Sequence, residues 1–280
     1  MAQIVSFLRP HRRGWLALPV LAAVAYGCLC GWFWKHQREF LYAPDSRVVA
    51  PADAGVSVVH IRTDDGERIV GWWKRPSAPD GGVVLYLRGT PGTLSDYAPY
   101  VMSDLGNAGL GALAIDYRGF GGSTGSPSEA GIRLDAQAAF DFIHRETPRS
   151  KIAVFGQSFG TGPAVTLAAD RPVAGLLLVA PYASILRLFE TRGPPILPYR
   201  WLLADQYNSV ATIGHITAPV MILHGTDDQT IPIAEARLLL DAAREPKQMI
   251  EVAGASHPEA WRGEAKAASL KALADWTRQR

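Results

Sequence analysis

The stretch "KIAVFGQSFGTG" from Lys151 sets a serine between two glycines directly behind an apolar run. Gly156 and Gly160 let the chain turn sharply enough to project Ser158 from a strand tip, and a helix N-terminus behind it favours nearby negative charge. A serine hydroxyl is a weak nucleophile until a base takes its proton, an acid orients that base, and N–H donors hold the oxyanion. Of the seven histidines, His11 and His36 flank an apolar run, His60 lies in an early strand, His144 near a helix end, His215 in a connection and His224 at a strand end. Each has a packing or surface explanation. His257, in "AGASHPEAW" behind the last β-rich run, stands where a base can face Ser158. The acid belongs after the preceding strand, where "VMILHGTDDQTIP" offers Asp227 and Asp228, and position alone does not choose between them. The order serine, acid, histidine along the chain is one that such sites use. Backbone donors are expected from Phe159, next to the serine, and from the loop Arg88–Gly92, where Pro91 has no N–H and Thr90 is the better candidate.

These loops need strands to carry them. "VSVVHIRT" (56–63) and "ERIVGWWKRP" (67–76) read as a hairpin around Asp64, Asp65 and Gly66. Six short apolar runs follow, at 83–87, 111–117, 151–155, 175–180, 220–225 and 248–254, with helical segments between them. Such runs suit strands buried on both faces, so the fold class is α/β: a mostly parallel eight-stranded sheet with helices on both faces. The clearest helix is 129–146, with Ser126, Pro127 and Glu129 as its start signal and Pro148 beyond its end. Residues 184–218 form a longer, aromatic-rich connection that reads as helices packed on the sheet and as a small cap insert.

The N-terminal part is of a different kind. Trp15–Trp34 is a run of 20 residues without a charge, long enough to cross a bilayer as one helix, with tryptophans at both ends and Arg12, Arg13, Lys35 and Arg38 outside them. The expected organisation is a basic tail (1–14), a single-pass transmembrane anchor (15–34), a linker (35–55) and one catalytic-type domain (56–280). Arg9, Arg12 and Arg13 before the run nearly balance Lys35, Arg38 and Arg47 after it; the expectation is an inside N-terminus and a domain on the non-cytoplasmic side. Both cysteines, Cys28 and Cys30, lie within the run, so the domain has no internal disulfide and its redox compartment is unreadable. Residues 1–40 hold five of the 28 basic and one of the 26 acidic residues, leaving a near-neutral domain and no nucleic-acid partner.

The residues also resemble the α/β-hydrolase superfamily, and within it the Bem46/ABHD13/ABHD17-like branch of membrane-anchored serine hydrolases. "DYRGFGGSTGSPSE" (116–129), "PYRWLLADQYNS" (198–209), "APVMILHGTDDQTIP" (218–232) and "EPKQMIEVAGASH" (245–257) are similar to that branch's segments in the same order, over roughly residues 40 to 278. The resemblance implies an α/β-hydrolase fold. It implies the acid at the fifth position of H-G-x-x-D, Asp228, and so Ser158, Asp228 and His257 as catalytic residues. It implies cleavage of carboxylic esters or thioesters without metal or cofactor. Location by a membrane suggests a small-molecule or lipidic acyl ester as substrate. Two alternatives stay open: a peptidase or amidase with the same residues, and a catalytically silent hydrolase fold acting as an interaction module. One departure stands out. Arg88 begins the loop where the family usually has histidine, and a guanidinium there is expected to contact an anionic part of a substrate.

Overall fold

The computed structural model describes residues 12–278; the first eleven residues of the expected basic tail lie outside the described part. Helix α1 (Arg12–Tyr42) comes first. Its C-terminal half packs on the domain, burying Phe33, Gln37 and Tyr42. That packing corrects the expected linker, whose first eight residues continue the helix until Ala43 (φ 42°) breaks it. Residues 43–55 have no helix or strand.

The hairpin of β1 (Ser57–Arg62) and β2 (Arg68–Lys74) turns at Gly66, whose φ of 90° suits a residue without Cβ. Then β3 (Val83–Leu87), α2 (Leu94–Asn107), β4 (Gly111–Asp116), α3 (Glu129–Glu146), β5 (Ile152–Gln157), α4 (Thr161–Asp170) and β6 (Leu176–Val179) alternate. The longer connection holds α5 (Ile185–Arg192), α6 (Tyr199–Leu202) and α7 (Ser209–Thr212), before β7 (Val220–Gly225), α8 (Ile233–Ala242), β8 (Lys247–Val252) and α9 (Gly263–Thr277). Helix α3 has the expected span but a different cap: Ser128, not Ser126, accepts from the Gly131 amide at 3.1 Å. Pro127 therefore precedes the cap, and Glu129, expected to close a capping box, is instead the first residue of the helix.

The eight strands form one sheet in the order β1-β2-β4-β3-β5-β6-β7-β8. Pairs β1/β2 and β2/β4 are antiparallel and the rest parallel, as the continuous apolar runs require. Helices α3, α4 and α8 contribute to the core on one face with Ile132, Val165 and Leu239. Helices α2 and α9 cover the other with Met102, Leu105 and Leu273. Strand β3 lies between β4 and β5, so the chain leaves it towards one edge and returns on the other side. The crevice at such a switch point, beyond the carboxyl ends of β3 and β5, is where an open parallel sheet binds ligands.

Candidate active site

Ser158 lies at that crevice, at the end of β5, with φ of 50°. A left-handed serine is strained, at about 1–2 kcal/mol, and close packing on either side holds it. A Cβ added at Gly160 would lie 2.0 Å from the Leu87 carbonyl oxygen, and one at Gly156 would meet Ala164 Cβ at 2.7 Å. Only glycine lets the turn pack this tightly against β3 and α4. Two hydroxyls brace it from behind: Thr161 Oγ1 donates to the Ser158 carbonyl at 2.6 Å, and Tyr182 Oη to the Phe159 carbonyl at 3.1 Å.

The loop after β8 brings His257 across the crevice. Its Nε2 lies 2.8 Å from Ser158 Oγ and its Nδ1 2.7 Å from Asp228 Oδ2. The other carboxylate oxygen of Asp228 accepts the amides of Thr230 and Ile231, each at 2.8 Å. Burial pushes the Asp228 carboxyl up, but hydrogen bonds from His224, His257 and the Ile231 amide outweigh it and hold the group well below the usual carboxylate range. An ionised Asp228 accepts from Nδ1–H, which leaves Nε2 free to accept the Ser158 hydroxyl proton. Asp227, the neighbouring candidate, is exposed and accepts from its neighbour Thr226 at 2.9 Å. The position of the buried carboxylate separates two residues that sequence position did not.

His224 is a packed histidine that shapes the turn after β7, as its place at the strand end suggests. Fully buried, it donates from Nε2 to the Ile231 carbonyl at 2.8 Å, and the same nitrogen lies 3.3 Å from Asp228 Oδ2. It closes the turn that presents Asp228 and adds a second positive dipole to it. Its position four residues before the aspartate, at the strand end, was the only sequence signal for this.

The loop after β3 runs beside the serine: a Cβ at Gly89 would approach Ser158 Cβ to 3.2 Å. Half-buried Thr90 follows Gly89 here, and buried Phe159 follows the serine on the facing loop. Arg88 does not face the crevice. Its side chain is fully buried, with Nε donating to Asp116 Oδ1 at 2.9 Å and Nη1 to the Gly89 carbonyl at 2.7 Å. Its guanidinium lies over Phe120, 4.7 Å from the ring centroid. The expected contact between Arg88 and a substrate is thereby corrected: Asp116, at the end of β4, draws the cation inward and leaves it no route to solvent.

A cleft of about 720 Å³ is lined among others by Tyr97, Tyr100, Gln157, Pro258, Trp261 and Lys266. Gln157 and Pro258 in its lining are the immediate chain neighbours of Ser158 and His257. Among the described residues no cluster of three or more His, Cys, Asp or Glu has the arrangement to hold a metal ion.

Residues 78–212 match the sequence model of a family described as serine aminopeptidase, S33. A protein of Mycobacterium tuberculosis described as uncharacterized is 37% identical over 250 residues, 86% of this chain and 88% of its own length. The lysophosphatidylserine lipase ABHD12 of Danio rerio is 31% identical over 198 residues, which cover 64% of this chain and 51% of the lipase. The chain belongs to the α/β-hydrolase superfamily. Among solved structures the Pyrococcus furiosus esterase Pf2001 superposes with a TM-score of 0.71 at 20% identity, over 84% of this chain and 98% of that one. This α/β-hydrolase is ABHD-like and a serine hydrolase, and its apolar N-terminal helix is long enough to span a membrane over Leu18–Tyr42.

Proposed function

We propose that the protein is a membrane-held serine hydrolase that cleaves carboxylic esters or thioesters of lipidic acyl groups through an acyl-enzyme. The observation that carries this reading is the continuous hydrogen-bonded line from Ser158 Oγ through both nitrogens of His257 to a buried Asp228, with spacings of 2.8 and 2.7 Å.

In the first step Ser158 Oγ attacks the acyl carbonyl as His257 Nε2 takes its proton. Asp228 steadies the imidazolium, and the amides of Phe159 and Thr90 receive the developing oxyanion. His257 then protonates the departing alcohol or thiol. Water, activated by the same imidazole, releases the acid and restores the serine. The cleft lined by Tyr97, Tyr100, Gln157, Pro258 and Trp261 has room for one arm of the substrate. The lipidic character rests on the apolar helix α1, which brings the site to a bilayer, and on the lipase and esterase names of relatives. The family description also names aminopeptidases, and the same residues cleave amides, so an amide substrate belongs in the test.

The test is labelling of detergent-solubilised protein with a fluorophosphonate, beside hydrolysis of p-nitrophenyl esters of increasing chain length and of an aminoacyl p-nitroanilide. Labelling and ester turnover lost in Ser158→Ala, with long chains preferred, support the proposal. Turnover of the anilide alone replaces it with the aminopeptidase reading, and a folded wild-type protein that neither labels nor turns over is a silent module.

A further inference from the structure

Helix α1 is held along much of its length by a single segment of the domain. Tyr26 Oη donates to the Ile196 carbonyl at 2.8 Å. Phe33 meets Tyr199 edge-on, with ring centroids 5.5 Å apart. Gln37 Nε2 donates to the Leu202 carbonyl at 2.9 Å, and its Oε1 accepts the Ala204 amide at 2.7 Å. Arg38 pairs with Asp205, and Tyr42 meets Tyr207 through their hydroxyls at 3.1 Å. The segment 196–207 therefore runs alongside residues 26–42, a rise of about 24 Å.

This leaves little helix free of the domain. From Trp15 to Ala25 the charge-free run rises only about 16 Å, against the roughly 30 Å of a bilayer's hydrocarbon core. The run reaches the needed length only if residues 26–34 lie in the bilayer as well, and Ile196 and Tyr199 are fastened to that stretch. We propose that the loop Pro194–Trp201 dips into the membrane beside α1, so that the partner of this surface is the lipid bilayer itself. The inference rests on the reading of α1 as a membrane helix.

The chemistry of the loop agrees. Trp201 is 83% and Ile196 58% exposed, large apolar side chains with nothing of the domain over them. Trp32 and Trp34 are exposed on the neighbouring stretch of α1, and such rings collect at the membrane interface. Arg200 and Lys35 are exposed nearby, with stems long enough to carry their charges back to lipid phosphates. Backbone polarity is subdued too. Pro194, Pro195 and Pro198 have no N–H, and the amides of Leu197, Tyr199, Trp201 and Leu202 donate to carbonyls within the segment. Tyr26 and Tyr199 hydroxyls take up the carbonyls of Ile196 and Pro194. From the loop the chain leads back through α5, whose Arg192 donates to the Gln229 carbonyl next to Asp228, which ties this segment to the loop that carries Asp228.

The test uses the full chain with Cys28→Ala and Cys30→Ala, reconstituted in phosphatidylcholine–phosphatidylglycerol vesicles. Single cysteines replace Leu21 in α1, Ile196, Trp201 and, as an aqueous control, exposed Ala78. Each carries an NBD fluorophore, and lipids bearing a nitroxide at graded depths act as quenchers. Retained ester hydrolysis certifies each labelled chain as folded. The proposal expects blue-shifted emission at Leu21, Ile196 and Trp201, with Ile196 quenched several-fold more than Ala78 by nitroxides below the headgroups. Buried Leu21 with Ile196 and Trp201 as wet as Ala78 overturns the proposal and leaves the anchor standing. A wet Leu21 overturns the anchor and this proposal together.

Discussion

Two pairs of ionisable side chains sit at the same end of the sheet, and they are built to opposite ends. His257 and Asp228, on the loops after β8 and β7, leave the imidazole 21% exposed, with its second nitrogen aimed at Ser158. Arg88 and Asp116, at the ends of β3 and β4, are closed on themselves, with the arginine side chain at 0% exposure. In the first pair the carboxylate is anchored by loop amides, so that its partner keeps a free acceptor. In the second, Asp116 Oδ1 accepts both from Arg88 and from the Leu94 amide at 3.1 Å, while Arg88 also holds the Gly89 carbonyl. That pair clamps the loop beside Ser158 at both of its ends. Burial pushes the Asp116 carboxyl up, and the Arg88 charge pulls it back only in part. The pair prepared for chemistry turns one ring nitrogen towards the crevice; the supporting pair turns no side chain towards it.

The sharpest way to break this contrast is at the open site. Ser158→Ala is expected to lower kcat by about 10⁶-fold, the loss typical when a nucleophile acting as part of a unit is removed. Ester kinetics and fluorophosphonate labelling check it, and residual turnover near wild type would mean another nucleophile. Asp228→Asn is expected to cost about 10⁴-fold in kcat, because an amide in that place no longer selects the Nδ1–H tautomer. Asp227→Asn, on the exposed neighbour, should leave turnover unchanged. Equal losses from the two would remove the assignment of the acid.

What could be read beforehand divides along the same line. Ser158 and His257 were legible because each lies in a loop that follows a strand-like run, and strand ends in a parallel sheet converge on one crevice. Strands β3 to β7 were legible because buried parallel strands leave uninterrupted apolar runs, and β1 and β2 because a turn signal joins two β-rich runs. The direction of Arg88 was not. It depends on Asp116, 28 residues further on and brought beside it only by the β3/β4 pairing, so residue type and local spacing carry no trace of it. The length of α1 was hidden likewise: residues 35–42 remain helical through contacts with partners some 165 residues away.

The closed pair makes a different prediction from the open one. Arg88→Ala leaves a carboxylate buried without its cation and is expected to destabilise the fold by about 3–5 kcal/mol, measured by urea unfolding of the solubilised protein. Any fall in kcat/KM should be the same factor for anionic and neutral esters, because the guanidinium touches neither. A selective loss on anionic esters would return Arg88 to the substrate side of the comparison.

The smallest effect lies within Ser158 itself, where the open site stores strain that the closed pair does not. Its φ of 50° costs an L-residue about 1–2 kcal/mol and glycine almost nothing. Ser158→Ala keeps the Cβ and the strain, whereas Ser158→Gly removes both but gives the unfolded chain more freedom, worth roughly 0.5–1 kcal/mol in the other direction. The two variants lack the hydroxyl alike, so the hydrogen bond to His257 cancels between them. Ser158→Gly is therefore expected to be the more stable of two inactive proteins by up to about 1 kcal/mol, read as a higher urea midpoint at unchanged slope. If Ser158→Ala is the more stable, the elbow is held without strain, and the tight packing of Gly156 and Gly160 alone accounts for the projection of the serine.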